Sequence, residues 1–125
     1  MQNAKHVIVT GASRGIGRAL VDVYVDMGHQ VWALSRNIES LQNLKGVHAV
    51  ELDITVEKQI SDWVSSCGVD HFDVLINNAG MLINKPFSET TLEDYEAVYR
   101  VNVFGVAQLI RHLLPLFSNF EAVWA

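Results

Sequence analysis

A glycine-rich turn between an apolar run and a helical pattern constrains this chain more than any other feature. Residues 7–10 are apolar or β-branched, and they lead directly into TGASRGIG, residues 10–17. In dinucleotide-binding folds such glycines allow a tight turn, close approach of the backbone to a diphosphate, and close packing of the next helix on the strand. The diphosphate then lies at the positive N-terminus of that helix. The residues predicted to bind it are Gly11, Ser13, Arg14, Gly15, Ile16 and Gly17.

The spacing of the glycines separates this turn from other phosphate-binding loops. It is G-x-x-x-G-x-G rather than G-x-G-x-x-G, and it lacks the Gly-Lys-Ser/Thr ending of loops that bind nucleoside triphosphates. Hydrolysis of ATP or GTP is therefore a poor interpretation. The alternative is that the glycines only build a turn, but a strand, this turn and a helix occur in the order that dinucleotide binding requires.

Short apolar segments alternate with segments of helical period along most of the chain. Helices are expected between the strands, and two of them end at a glycine, Gly28 or Gly68. Such alternation predicts an α/β fold, a doubly wound parallel sheet with helices on both faces. The chain, residues 1–125, is interpreted as one nucleotide-binding domain that lacks the C-terminal strands of such a sheet. The predicted strands are residues 7–10, 31–34, 47–52 and 74–76.

Two apolar stripes run along a long helix that is predicted over residues 102–117. One stripe is expected to cover the sheet, and the other is expected to meet a second subunit. The chain is therefore predicted to form a homo-oligomer through this helix. The first stripe consists of Val103, Val106, Ala107, Ile110, Leu113, Leu114 and Phe117, and the second of Val101, Leu109 and Leu116.

Composition limits the classes of partner. The net charge is −5 and only 18% of the residues are charged, so the basic surface that nucleic-acid binding needs is not expected. No apolar run reaches the roughly 20 residues of a membrane span. The single Cys67 cannot form an internal disulfide, which favours the reducing cytoplasm. No histidine pairs with other ligands at metal-binding spacing, so no metal is predicted, and surface positions are expected for His6, His29, His48, His71 and His112.

The end of the second predicted strand bears on the choice of nicotinamide cofactor. An acidic residue at this position would accept the ribose 2′-hydroxyl of NAD, whereas an arginine accommodates the 2′-phosphate of NADP. The sequence here is Ser35-Arg36-Asn37, and a second cation, Arg14, projects from the glycine turn. NADP(H) is therefore the predicted cofactor. The alternative is that both arginines are solvated surface residues, since exposed ion pairs are weak.

The fourth predicted strand ends in a second motif, NNAG, residues 77–80. Together with TGASRGIG at this distance, NNAG makes the chain resemble the N-terminal half of the short-chain dehydrogenase/reductase family, whose fold is the Rossmann type of doubly wound sheet. The resemblance covers the whole chain. It implies an NADP(H)-dependent oxidoreductase that acts on a small-molecule carbonyl or alcohol.

The resemblance also implies roles for further residues. Asp53 and Ile54 match the family positions that contact the adenine ring, and Asn102 matches an asparagine that helps to hold a proton-relay water. The alternative for Asn102 is a hydrogen bond inside its helix without catalytic work. The segment after the fourth strand would line the ribose of the cofactor with Asn78, Ala79 and Gly80.

The chain departs from the family in its catalytic residues. Members of the family carry a serine on the fifth strand and Tyr-x-x-x-Lys on the next helix, and neither is present: no lysine follows Tyr24, Tyr95 or Tyr99 by four residues. Residues 119–125 do not have the pattern of that strand, which would leave the fourth strand as an exposed edge. The chain is predicted to be nearly inactive as it stands. A non-catalytic dinucleotide-binding or interaction module and a truncated product are the alternatives.

Overall fold

The protein is described by a computed structural model that covers residues 4–117 and 122–124. Five parallel strands form one sheet in the order β3-β2-β1-β4-β5. The chain reverses its winding direction between β1 and β4, so the helices that follow these two strands lie on opposite faces. The strands are β1 His6–Thr10, β2 Gln30–Ser35, β3 Val47–Glu51, β4 Val74–Asn77 and β5 Ala122–Trp124.

Side chains of the strands alternate between two separate hydrophobic cores. On one face Val7, Val9 and Val31 pack under helix α1, Gly15–Asp26, whose Val21 is fully buried. The other face packs under α2, Glu57–Ser66, and α4, Val106–Leu113, and its core contains Ile8, Leu34, Ile60, Leu75 and Leu109. Because both faces are covered, the inner strands are apolar at almost every position. The predicted α/β fold with helices on both faces of a parallel sheet is confirmed.

Helices α1 and α2 end where the sequence predicts. Gly28 follows α1 with φ +88°, and Gly68 follows α2 with φ +74°. Glycine adopts these left-handed conformations without steric strain from a side chain, so the helices end here at little cost in free energy. Cys67, at the end of α2, is partly buried against the core of its face.

The connection between β2 and β3 differs from the expected helix. It contains only a single 3₁₀ turn, Glu39–Leu41. The side chain of Asn37 accepts the backbone N–H of Glu39 at 3.0 Å, which offers the backbone a turn instead of a helix. Two left-handed residues then follow, Asn43 at φ +66° and Gly46 at φ +80°.

The region predicted as one long helix, 102–117, is divided into three parts. It begins within a π-helical segment, Arg100–Gly105, which follows helix α3, Leu92–Tyr99, and it continues as α4 and then as a 3₁₀ turn, Leu114–Leu116. Within α4, Val106, Leu109 and Leu113 are three and four residues apart and therefore share one face. The predicted division into stripes, which separates Leu109 from the other two, is wrong.

The buried positions of this helix mix members of both predicted stripes. Leu109, assigned to the second stripe, is fully buried beside Val106 and Leu113 of the first. Val103 and Leu114, also of the first stripe, are 46% and 47% exposed. Ala107 is also exposed.

The prediction that the chain ends without a fifth strand is also wrong. Residues 122–124 form β5, which pairs in parallel with β4 so that Leu75 lies opposite Ala122 and Asn77 opposite Trp124. Three residues are too few to show an alternating pattern, and the backbone of β4 supplies the partners. Strand β4 is therefore paired on both sides rather than exposed as an edge.

Candidate cofactor-binding site

A cleft of about 1150 Å³ lies at the carboxyl ends of the strands. It crosses the boundary between β1 and β4, where the helices that follow the two strands diverge to opposite faces. Open α/β sheets bind ligands at this position. The cleft brings together eleven of the residues predicted from the sequence, which are Gly11, Ser13, Arg14, Gly15, Ser35, Arg36, Asp53, Ile54, Asn78, Ala79 and Gly80.

The glycine turn enters this cleft with its backbone exposed. Gly11 and Gly15 both have φ +60°, and a Cβ at Gly15 would meet no atom within 4 Å. Helix α1 begins at the turn with no side-chain cap from Arg14 and no acidic residue in its first turn. The N–H groups of that first turn thus have no side-chain acceptor, which suits an anionic ligand.

Two residues of the predicted turn lie outside the lining of the cleft. Ile16 is 67% exposed and points elsewhere. Gly17 acts on the turn itself, because a Cβ there would lie 2.1 Å from the carbonyl oxygen of Gly11 and 2.4 Å from Nδ2 of Asn78. Its lack of a side chain allows the helix to start directly against the NNAG segment.

Thr10 is a site residue that the sequence interpretation missed. Its buried hydroxyl accepts the backbone N–H groups of Asn78 at 3.0 Å and Ala79 at 2.9 Å, and it donates to the carbonyl oxygen of Ile76 at 3.4 Å. Its position in the sequence, at the end of β1 and directly before Gly11, could have identified it as a site residue. The hydroxyl joins the two motifs that carry the family resemblance.

The paired asparagines of NNAG have different environments. Asn78 donates from Nδ2 to the carbonyl oxygen of Gly11 at 3.1 Å, which ties NNAG to the glycine turn a second time. Asn77 is only 4% exposed, and within the part of the chain that the structure describes neither polar atom of its side-chain amide has a hydrogen-bond partner. A buried amide without partners is costly to the folded state.

The third strand delivers Asp53 and Ile54 to the cleft. Oδ1 of Asp53 accepts the N–H of Thr55 at 2.9 Å and its hydroxyl at 2.7 Å, so this loop is held by its own side chains. Ile54 is 7% exposed and packs on the π-helical segment. A Cβ at Gly105 would lie 2.9 Å from Cγ1 of Ile54, so the glycine permits this contact.

Asn102 lies in the π-helical segment and does not line the cleft. Its Oδ1 accepts the N–H of Met81 at 2.8 Å, and its Nδ2 donates to the carbonyl oxygen of Met81 at 3.0 Å. The side chain therefore holds the backbone just after NNAG instead of bonding within its own helix. Its assignment to a proton-relay water stays a prediction.

Charges around the cleft are unevenly distributed. Three arginines line it, namely Arg14, Arg36 and Arg100, against two acids, Glu39 and Asp53. Arg14 and Arg36 are exposed and form no ion pair among the residues that the structure describes. A chain with net charge −5 thus carries a cationic excess at this cleft, which favours an anionic ligand. Arg100 and Glu39 were not predicted, because only the fold brings them to the cleft.

The histidines do not all occupy the surface positions that were expected. His29 is buried and its Nδ1 accepts the N–H of Lys5 at 3.0 Å. His48 stacks on Trp32 with ring centroids 4.1 Å apart, and the indole Nε1 donates to His6 at 3.4 Å. Within residues 4–117, no group of three or more His, Cys, Asp or Glu side chains is arranged to hold a metal ion.

The sequence profile described as short chain dehydrogenase matches residues 5–122. The chain belongs to this family. Among the helices that the structure describes, none is long and apolar enough to cross a membrane.

Relatives within the short-chain dehydrogenase family include an enzyme named as NADP-dependent and structures solved with NADPH or with NAD⁺ bound. The NADP-dependent 3-hydroxy acid dehydrogenase YdfG of Escherichia coli is 31% identical over 117 residues, which cover 87% of this chain and 47% of that protein. The NADPH-bound carbonyl reductase from chicken fatty liver superposes with a TM-score of 0.83 at 28% identity, over 92% of this chain and 52% of that one. A Leptospira borgpetersenii short chain dehydrogenase with bound NAD⁺ has a TM-score of 0.81 at 30% identity, over 87% and 44%. The chain thus spans about half the length of the relatives it matches.

Proposed function

We propose that this chain binds NADP(H) and is the cofactor-binding half of an oxidoreductase that acts on a small-molecule carbonyl or alcohol. The observation that carries the proposal is the N-terminus of α1 at the glycine turn, which has no side-chain cap and lies beside Arg14 and Arg36, two arginines without an ion pair among the described residues. Bound NADP(H) supplies hydride chemistry. The residues of this chain bind and orient it.

The residues of the cleft fit a dinucleotide. The open face of Gly15 leaves room for a diphosphate at the first turn of α1, whose N–H groups would donate to it. Asp53 and Ile54 would contact the adenine ring, and Asn78, Ala79 and Gly80 would line the nicotinamide-side ribose. Ser35 would lie beside the adenosine ribose at the end of β2.

The preference for NADP(H) over NAD(H) rests on Arg14 and Arg36. Two charge-assisted contacts to a 2′-phosphate, each worth about 1.5 to 3 kcal/mol, would change selectivity at least tenfold even after discounting for exposure. The NADP-dependent E. coli relative and the NADPH-bound chicken structure support this choice, whereas the Leptospira structure has NAD⁺ bound. Glu39 in the lining opposes a phosphate and lowers the expected preference.

The proposed activity of this chain alone is very low. It contains no Tyr-x-x-x-Lys, and loss of a general acid removes about 10² to 10⁴-fold of rate. Asn102 is already bonded to the backbone of Met81 through both Oδ1 and Nδ2, so a water would have to use the remaining N–H or lone pair of that amide.

We infer further that the chain forms a homo-oligomer in the cytoplasm. Val103, Phe104 and Leu114 expose apolar surface along the helix over 102–117, and exposed apolar patches mark interaction surfaces. Cys67 is a free thiol, which suits a reducing compartment. A non-catalytic binding or interaction module would use the same surface and cleft without turnover.

Calorimetric binding of NADPH and NADH at matched concentrations tests the cofactor assignment. The unchanged chain is expected to bind NADPH more tightly, and the double variant Arg14→Gln, Arg36→Gln is expected to lose most of that difference. Arg111→Gln is the control, because Arg111 is an exposed arginine that pairs with Glu57 away from the cleft. Equal binding of both dinucleotides by the unchanged chain, or no binding of either, would overturn the proposal.

A further inference from the structure

Two hydrogen bonds bridge the glycine turn to the 3₁₀ turn that follows β2. The hydroxyl of Ser40 donates to the carbonyl oxygen of Ser13 at 3.2 Å. Nη1 of Arg18, on α1, donates to the carbonyl oxygen of Ser40 at 3.2 Å. Ser13 and Ser40 line the cleft, whereas Arg18 is not among the residues that line it.

Two hydrogen bonds within α1 hold Arg18 in position for its contact with Ser40. Its backbone N–H donates to the carbonyl oxygen of Arg14 at 3.3 Å, one helical turn earlier. Its Nε donates to Asp22 at 3.3 Å, one turn later. The guanidinium therefore has one nitrogen fixed on α1 and another directed at Ser40.

Short-range hydrogen bonds also hold the segment between Ser35 and Ser40, which contains Arg36. Oγ of Ser35 accepts the N–H of Asn37 at 3.3 Å, and Oδ1 of Asn37 accepts the N–H of Glu39 at 3.0 Å. Leu41, which ends the turn, is fully buried beneath α1. The segment that carries Arg36 is thus fixed at both of its ends, and Ser40 joins it to the segment that carries Arg14.

We propose that Arg18 and Ser40 are positioning residues for cofactor selectivity, which hold Arg14 and Arg36 at one separation so that both can contact the same 2′-phosphate. The inference rests on the proposed function and extends it to residues that do not themselves bind the phosphate. Without the bridge the two arginines move independently. An ordering cost then falls on the ligand that needs both of them, NADPH, and not on NADH.

The ratio of the dissociation constants for NADH and NADPH is the readout, because a purely structural residue would weaken both equally. Ser40→Ala is expected to lower this ratio about three- to tenfold, the range for one lost hydrogen bond. Ser40→Thr retains the hydroxyl and is expected to keep the ratio. Arg18→Gln removes the second hydrogen bond of the bridge, and it is also expected to lower the ratio.

Asp22→Asn is the matched control. It removes the ion pair of Arg18 but leaves the hydrogen bond to Ser40, so the ratio is expected to stay within about twofold of the original. Thermal unfolding of each variant verifies that it is folded at the assay temperature.

The outcomes separate the two proposals. If the unchanged chain prefers NADPH and both Ser40→Ala and Arg18→Gln keep that ratio, the bridge has no role in selectivity and this inference is overturned. If Arg18→Gln lowers the ratio while Ser40→Ala keeps it and Asp22→Asn raises it, the effect of Arg18 is one of charge, which also overturns the inference. If the unchanged chain shows no preference for NADPH, the proposed function has failed first.

Discussion

The hydroxyl of Thr10 lies 2.9 Å from the backbone nitrogen of Ala79 and accepts its hydrogen bond. The same oxygen accepts the N–H of Asn78. Thr10 ends β1 and the two amides follow β4, so one side chain holds the ends of the two strands between which the cleft opens. This contact couples the glycine turn to NNAG.

Replacing Thr10 by valine removes this acceptor without changing the shape of the side chain much. Two backbone N–H groups then lose their partner in a partly buried place, and the free energy of unfolding should fall by about 2 kcal/mol. Urea denaturation measures the change. Thr10→Ser retains the hydroxyl and should lose less than half as much. Equal losses in the two variants would show that the methyl group, not the hydroxyl, matters.

Gly17→Ala should be far more damaging than its size suggests. The added Cβ would lie 2.1 Å from the carbonyl oxygen of Gly11, so the turn must open, at a cost of about 3 kcal/mol or more. NADPH binding should be lost with it. Gly28→Ala is the control, because a Cβ there meets no atom and only the left-handed backbone costs about 1 to 2 kcal/mol. Calorimetric binding by Gly28→Ala should be unchanged, and undiminished binding by Gly17→Ala would contradict the structure.

Asn77→Leu should stabilise the chain. The amide of Asn77 is buried, and neither of its polar atoms has a partner among the described residues. An apolar side chain of similar shape removes a desolvation cost of about 1 to 3 kcal/mol. Asn78→Leu, at the adjacent position, should have the opposite effect. It removes a hydrogen bond to Gly11 and should therefore destabilise the chain. A lower melting temperature for Asn77→Leu would mean that the amide has a partner in the folded protein.

Stability should fall as the solution is acidified towards pH 5.5. Burial, together with repulsion from His6, lowers the pKa of His48 below its ordinary value of 6.5. The unfolded chain therefore binds a proton more readily than the folded chain as pH falls through that range, and unfolding is favoured.

The histidine that causes this effect can be isolated by substitution. His48 faces the imidazole of His6, stacks on Trp32 and bonds to Gln30. In His48→Gln the urea midpoint should vary less between about pH 7.5 and about pH 5.5 than it does in the unchanged chain. An identical pH profile for the two proteins would assign the dependence to other groups.

Local patterns were sufficient for much of the fold. The strands β1 to β4 were predicted to within one residue, and helices α1 and α2 end within two residues of the glycines predicted to terminate them. Burial on both faces of a strand, or on one stripe of a helix, leaves a periodic apolar signal. The glycine turn was equally readable, since left-handed and sterically crowded positions require glycine. Most of the residues predicted for the cleft do line it.

Most of the predictions that were wrong concern features that depend on contacts between separate segments of the chain. The stripes of the last helix are an exception, because the spacing of three and four residues between Val106, Leu109 and Leu113 already indicates one shared face. Strand β5 exists because β4 offers its backbone to residues 122–124. The turn after β2 forms because Asn37 competes for the backbone of Glu39.

By itself, then, the sequence determined that a strand, a glycine turn and a helix succeed one another in a parallel α/β fold of the short-chain dehydrogenase family. Only the tertiary structure decided which side chains meet at the cleft. Thr10 and Ala79 are 69 positions apart, and Met81 and Asn102 are 21 apart. The partner of a hydrogen-bonding side chain at such distances is chosen by strand order and register, and these arise from packing of the whole sheet.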